Sequence, residues 1–215
     1  MTDTITQGET MNRLIHQAVR RDLTRFTDAL QRFNAGDRAR ATALADAFGH
    51  FDTMLTHHHE GEERILWPVI GDPGAGHGED VAELTHEHER IVSGLAETRT
   101  AFARLRTSAS AEDAATATAG VGVLRDAAQT HFAHEESELR ALCEAAEPQA
   151  LAAAFKKMGR DASPAESAWF MQWISEDLPR DDDAALAKII PAPVRLIARL
   201  VAGRRYAKVQ QAAWS

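Results

Sequence analysis

Four segments of this chain carry apolar residues in alternating steps of three and four, and each stripe is broken by histidine or glutamate at a core position. The first stripe reads His16, Val19, Leu23, Phe26, Leu30, Phe33. The second reads Leu44, Phe48, Phe51, Leu55, His58, Glu62, Ile65. The third is Val81, Leu84, His88, Ile91, Leu95, Thr98, Phe102, Leu105, and the fourth Ala117, Val121, Leu124, Ala128, His131, Glu135, Leu139, Leu142. Steps of three and four mark one face of an α-helix. Alanine, leucine, arginine and glutamate dominate the segments, which favours helix. The spacing predicts helices over about 9–34, 37–70, 79–107 and 111–146. "TQGE" at 6–9 fits a capping box, and "NAGD" at 34–37 ends one helix and starts the next. Short connections between four such helices predict an all-α protein, an antiparallel up-down four-helix bundle over 1–147 with a C-terminal helical extension over 148–215 packed on it.

The interrupted stripes carry the chemistry. A buried carboxylate is costly unless it is paired or bound to a metal. In an up-down bundle, His16, His58, Glu62, His88, His131 and Glu135 fall in one band at about 1.5 Å rise per residue. A lone core histidine is more often simply hydrogen-bonded, and a His–Glu pair on an exposed helix is usually surface electrostatics. Two HxxxE pairs and two single histidines at one depth are a different matter. Six inward ligands can hold two metal ions, with the carboxylates as bridges. Imidazole and carboxylate without thiolate suit iron or manganese. In "THHHEGEE" (56–63), one residue of helix turns a side chain by about 100°. His58 and Glu62 therefore hold the core register, while His57 flanks it and His59 and Glu63 are expected to point away from the seam. "HFAHEE" (131–136) repeats the pattern, pairing His58 with His131, Glu62 with Glu135, and Glu63 with Glu136.

"LIHQAVRRDL" (14–23), "HHEGEERILWP" (58–68), "THEHERI" (85–91) and "HFAHEESEL" (131–139) resemble the hemerythrin-like, HHE cation-binding family over about residues 9–146. The resemblance implies a non-haem di-iron centre, two oxo- or hydroxo-bridged iron ions held by His16, His58, Glu62, His88, His131 and Glu135. Oxygen-carrying hemerythrins have a further histidine one turn before the His88 equivalent, where this chain has Leu84; His86 is near but off the stripe. The resemblance is thus to a six-ligand subgroup, with one iron keeping an open or water-filled position unless a seventh ligand comes from elsewhere. That implies reaction with H2O2, O2 or NO: an enzyme consuming peroxide, or alternatively a protein that binds or senses O2, NO or iron without turnover. His50, Glu63, Glu136 and His134 are candidates to support the ligands, since metal-bound histidines donate their second N–H.

The remaining sequence sets bounds. A net charge of −8 argues against nucleic acid as a partner. The single cysteine, Cys143, forms no internal disulfide and reads as a small buried hydrophobe. The polar start "MTDTITQGET" has no apolar h-region, and apolar runs are too short for a bilayer, so the expected location is the cytoplasm. In the extension, "SPAESAWFMQWI" (163–174) reads as a serine-capped helix, "DDDAALAKII" (181–190) as a short helix, and "VRLIARLVAGRRYAKV" (194–209) as a basic amphipathic one. The aromatic stretch could cover the metal site or contact a second copy. The basic helix could meet an acidic surface or membrane. Tyr206 is the only tyrosine, a position from which a redox relay or an iron ligand is conceivable.

Overall fold

The computed structural model describes residues 2–71, 77–160 and 162–215. Residues 72–76, in the glycine- and proline-rich stretch between the second and third expected helices, lie outside the described residues.

Four long helices form the bundle: α1 (Thr2–Gln31), α2 (Arg38–Gly61), α4 (Gly78–Ser108) and α5 (Ala111–Ala145). A π-helical turn, Glu62–Leu66, joins α2 to the short α3 (Trp67–Ile70), and the extension supplies α6 (Pro148–Met158), α7 (Pro164–Ser175), α8 (Arg180–Ile189) and α9 (Ala192–Trp214). Each bundle helix packs beside two others, α1 against α2 and α5, and α4 against α2 and α5. The chain runs up and down: Gly36 N–H donates to the Ala109 carbonyl at 2.7 Å, so the α1–α2 and α4–α5 turns lie side by side at one end. Gly36 sits there at φ +90°, a conformation that glycine adopts without steric cost. Asp37 then caps α2 by accepting from Arg40 N–H, and Ser110 caps α5 by accepting from Asp113 N–H.

The stripes are the core. Their members are buried, apart from Phe33, which lies beyond the end of α1, and Val81, both half-buried. The histidine and glutamate positions separate two apolar clusters. Leu55, Ile91 and Ala128 belong to the larger one, and Ile65, Leu84 and Leu139 to the smaller. At the heart of the larger cluster, Phe26 meets Phe48, Phe51, Phe102 and Trp214 edge to face. Truncating such a residue costs about 3–5 kcal/mol.

The first helix departs from expectation. It begins at Thr2, so Thr6 lies inside it and "TQGE" is not a capping box. Thr6 and Thr10 continue the helix, with the Thr10 hydroxyl donating to the Thr6 carbonyl at 2.7 Å. Gly8, inside that segment, serves close approach. A Cβ there would meet the Phe155 ring at 2.4 Å.

In the extension, α7 has a complete capping box between Ser163 and Glu166. Trp173 is buried and donates through Nε1 to Asp22 Oδ2 at 2.7 Å, while Trp169 stacks on His50 with ring centroids 3.8 Å apart. The two tryptophans are therefore engaged with α1 and α2, not laid over the metal-ligand candidates. Helix α9 turns Ala198, Ala202, Tyr206 and Ala213 inward and leaves Leu196, Ile197, Leu200 and Val201 exposed. Small inward residues let α9 pack closely on α2 and α7. Tyr206 donates to Glu176 Oε2 at 2.8 Å, within a group that includes Arg25. Among the described residues, no helix is long and apolar enough to cross a membrane.

Candidate metal centre

All six residues singled out in the stripes are buried and converge on one region between the helices. Together with His59 they form two groups, within each of which the ligand atoms lie within 4.8 Å of one another: His59, Glu62, His88 and His131 in one, and His16, His58 and Glu135 in the other.

His59 is the correction. It was expected to point away from the seam, but it is buried to 2% exposure and its ring stacks on His88 at 4.0 Å. The inward arc of a core helix spans 100° or more. His58 and His59, about 100° apart, both fit within it, one at each edge. The π-helical turn begins three residues later; such turns mark places where a helix is adjusted around a functional site. His57, on the third side, is exposed. Leu84 is fully buried in the apolar cluster and His86 is exposed beside Glu89. His59 on α2, not a residue of α4, is the additional histidine that lies with Glu62, His88 and His131.

Carboxylates fix the rings. His16 Nδ1 donates to Glu136 Oε1 at 2.8 Å, His88 Nδ1 to Glu63 Oε1 at 2.9 Å, and His131 Nδ1 to Glu87 Oε2 at 3.1 Å. Each ring is then left with Nε2 facing the centre. Of the supporting residues read from the sequence, Glu63 and Glu136 take these positions. His134 shares Glu87 at 3.2 Å, and His50 stands apart against Trp169. Glu87 was missed. Its position one residue before His88 on α4 lets it reach across to α5. The repeat pairs α2 with α5 and does not extend to α4, so it gave no hint of Glu87; His58 Nδ1 lies 3.3 Å from Glu62 Oε1.

The donor set fits a metal. His88 Nε2 and His131 Nε2 approach to 2.9 Å although both rings spend their N–H on carboxylates. Facing lone pairs at that distance repel, whereas two nitrogens at right angles around a metal, each bonded at about 2.1 Å, lie about 3.0 Å apart. His16 Nε2 and His58 Nε2 lie 3.3 Å apart. Both nitrogens of His59, one oxygen of Glu62 and both of Glu135 are buried without an aligned hydrogen bond among the described residues. Unsatisfied buried polar atoms on this scale call for an ion.

Protonation agrees. Burial, then the neighbouring histidine charges, hold His58 and His59 well below the usual imidazole value. Burial brings His88 and His131 to about 4. These four rings are neutral at pH 7, as ligation requires. Burial depresses His16 as well, but Glu135 and Glu136 outweigh it and leave it raised. Burial pushes Glu62 up, reinforced by Glu135. For Glu135 itself burial is outweighed by His16, His131 and His58, which hold it far below the carboxylate range. His16 Nε2 lies 3.2 Å from Glu135 Oε2, so a proton on His16 supplies charge that a metal ion would replace.

Elsewhere, burial pushes the Cys143 thiol up to about 12, consistent with a packed hydrophobe. Tyr206 is raised further still by burial and by Asp22 and Glu176, and its hydroxyl is held by Glu176 rather than by any residue of the centre.

No significant match to the chain was found among curated proteins or solved structures. The family model of the Hemerythrin HHE cation binding domain matches residues 11–162, which span the whole His/Glu set. With its four-helix bundle and its buried histidine–carboxylate centre, the chain belongs to the hemerythrin HHE cation-binding family.

Proposed function

We propose that the centre binds two iron ions and that the protein consumes hydrogen peroxide there, with O2 and NO as further small molecules able to reach it. His59, Glu62, His88 and His131 would hold one ion, and His16, His58 and Glu135 the other, with Glu62 and Glu135 shared between them. The observation that carries this reading is the inequality of the two groups, four residues against three. With both carboxylates shared, the smaller group supplies four protein ligands and the larger five, and a six-coordinate first-row metal with four keeps room for a small exogenous molecule. Bound iron would supply the redox couple and the open position.

The chain's own residues set the conditions. Glu136, Glu63 and Glu87 orient His16, His88 and His131, and Arg20 also donates to Glu136 at 2.9 Å. Phe132, stacked on His16 at 3.7 Å, and Trp67, beside His88 at 5.6 Å, keep bulk water from those rings. Dismutation balances without an outside reductant: of two H2O2, one is reduced to two H2O and the other oxidised to O2. The test is metal analysis and an ultraviolet-visible spectrum before and after H2O2. About two irons per chain and sustained oxygen evolution faster than with free iron are expected. A spectral change without turnover would replace the enzyme with a binding protein, and no metal after anaerobic reconstitution would remove the centre.

A further inference from the structure

Between the bundle and the extension lies a cavity of about 890 Å³ that no part of peroxide chemistry requires. A water-sized molecule takes about 30 Å³, whereas cavities for organic ligands run from about 300 to 1,000 Å³. One wall comes from α1, α2 and the π-helical turn, the other from α6, α7 and the start of α9. Four of the chain's five methionines, Met11, Met54, Met158 and Met171, line it, together with Phe155 and Phe170. Methionine walls are apolar and adaptable, which suits a flexible chain better than a rigid ring.

The cavity reaches the centre. His58 and Glu62 belong to its lining, and so does Asn12, one turn before His16 on α1. Asn12 is 7% exposed, and its Nδ2 has no hydrogen-bond partner among the described residues. A buried donor of this kind is costly until something accepts from it. The inner end therefore offers a donor to an oxygen acceptor, and burying a neutral oxygen among these apolar walls costs less than burying an unpaired carboxylate. Glu60 and Glu166 against Arg64 and Lys156, all in the lining, balance in sign and give no net pull on a charged head.

We propose that this cavity binds a medium-chain alkyl molecule with a neutral oxygen head, an alcohol or a hydroperoxide, inserted head first toward Asn12, His58 and Glu62. The placement of the head rests on the metal centre proposed above; the apolar walls do not.

The experiment is isothermal titration calorimetry of the iron-loaded protein with 1-octanol, ethanol and octanoate. Saturable one-to-one binding of 1-octanol is expected, with octanoate weaker and no binding of ethanol. Ser167→Trp and, independently, Ala152→Phe place bulk in the lining and are expected to weaken 1-octanol by about tenfold. Unchanged iron content and helical circular dichroism show that each variant is folded. Absence of saturable 1-octanol binding, or binding untouched by both folded variants, overturns the proposal; octanoate binding more tightly than 1-octanol overturns the neutral head. If the protein takes up no iron, the di-iron reading fails by itself. Chain-length-dependent alcohol binding that either folded variant weakens then still supports the apolar cavity.

Discussion

Glu136 on α5 accepts from His16 on α1 across the seam of the bundle, at 2.8 Å. The same device recurs where Glu63 accepts from His88 at 2.9 Å. The 131–136 segment thus contributes two centre residues and the 58–63 segment three, each with one carboxylate that steadies a histidine on another helix. Supporting carboxylates of this kind are worth about 10–100-fold in metal affinity. Glu136→Gln and Glu63→Gln are each expected to lower iron affinity within that range while leaving the fold intact. Competition with a chelator measures it, and unchanged affinity in both would show that the rings are held by packing alone.

His59 separates the six-residue reading from the seven-residue one. His59→Ala reduces the larger group from four residues to three. The expected result is weakened retention of one ion, so that iron falls from about two toward one per chain after dialysis. His57→Ala, at an exposed neighbour, is expected to change nothing. Metal analysis of both variants decides it.

The extension is tied to α1 through a buried carboxylate. Asp22 receives Trp173 Nε1 at 2.7 Å and Arg21 Nε at 2.9 Å. Burial pushes Asp22 upward, against the pull of Arg21 and Trp173. Trp173→Phe keeps most of the ring and removes one donor from that carboxylate, at a cost of about 1–3 kcal/mol. Urea unfolding is the measurement, with iron content expected to stay at the wild-type level.

Cys143 gives a pH signature. Its thiol is raised from 9.0 to about 12 by burial, so the folded state keeps its proton where the unfolded state releases it. The unfolded chain therefore binds fewer protons than the folded one between about pH 9 and 12, and this contribution to stability is lost as pH rises across that window. Cys143→Ala is expected to flatten the decline. Native protein should also resist alkylation at pH 8 until denaturant is added.

The legible and illegible parts of the molecule divide along physical lines. Helix periodicity located the bundle, because core positions on long helices leave a repeating trace. The same stripes brought His16, His58, Glu62, His88, His131 and Glu135 to one place, and the repeat pointed to Glu63 and Glu136. His59 was lost because a single seam was drawn where the core accepts a wide arc. The π-helical turn after it leaves no mark in composition. Glu87 stands off its own stripe and acts on a neighbouring helix, so only the packing of α4 against α5 discloses it. The early start of α1 was missed because "TQGE" fits a cap as well as a helix interior, and Gly8 within it is a contact point with α6 that only the packing discloses.

That contact has a consequence for how the protein is made. Gly8 and the Phe155 ring meet so closely that no side chain fits between them, yet they lie near opposite ends of the bundle sequence. During synthesis the chain emerges from its N-terminus, and folding units form in that order. All residues of the centre leave the ribosome before Phe155 does. The four ligand-bearing helices can thus assemble with one flank uncovered, and Phe155 seals the first turns of α1 only afterwards. The residues of the centre are in this way made before the segment that closes the apolar cavity over them.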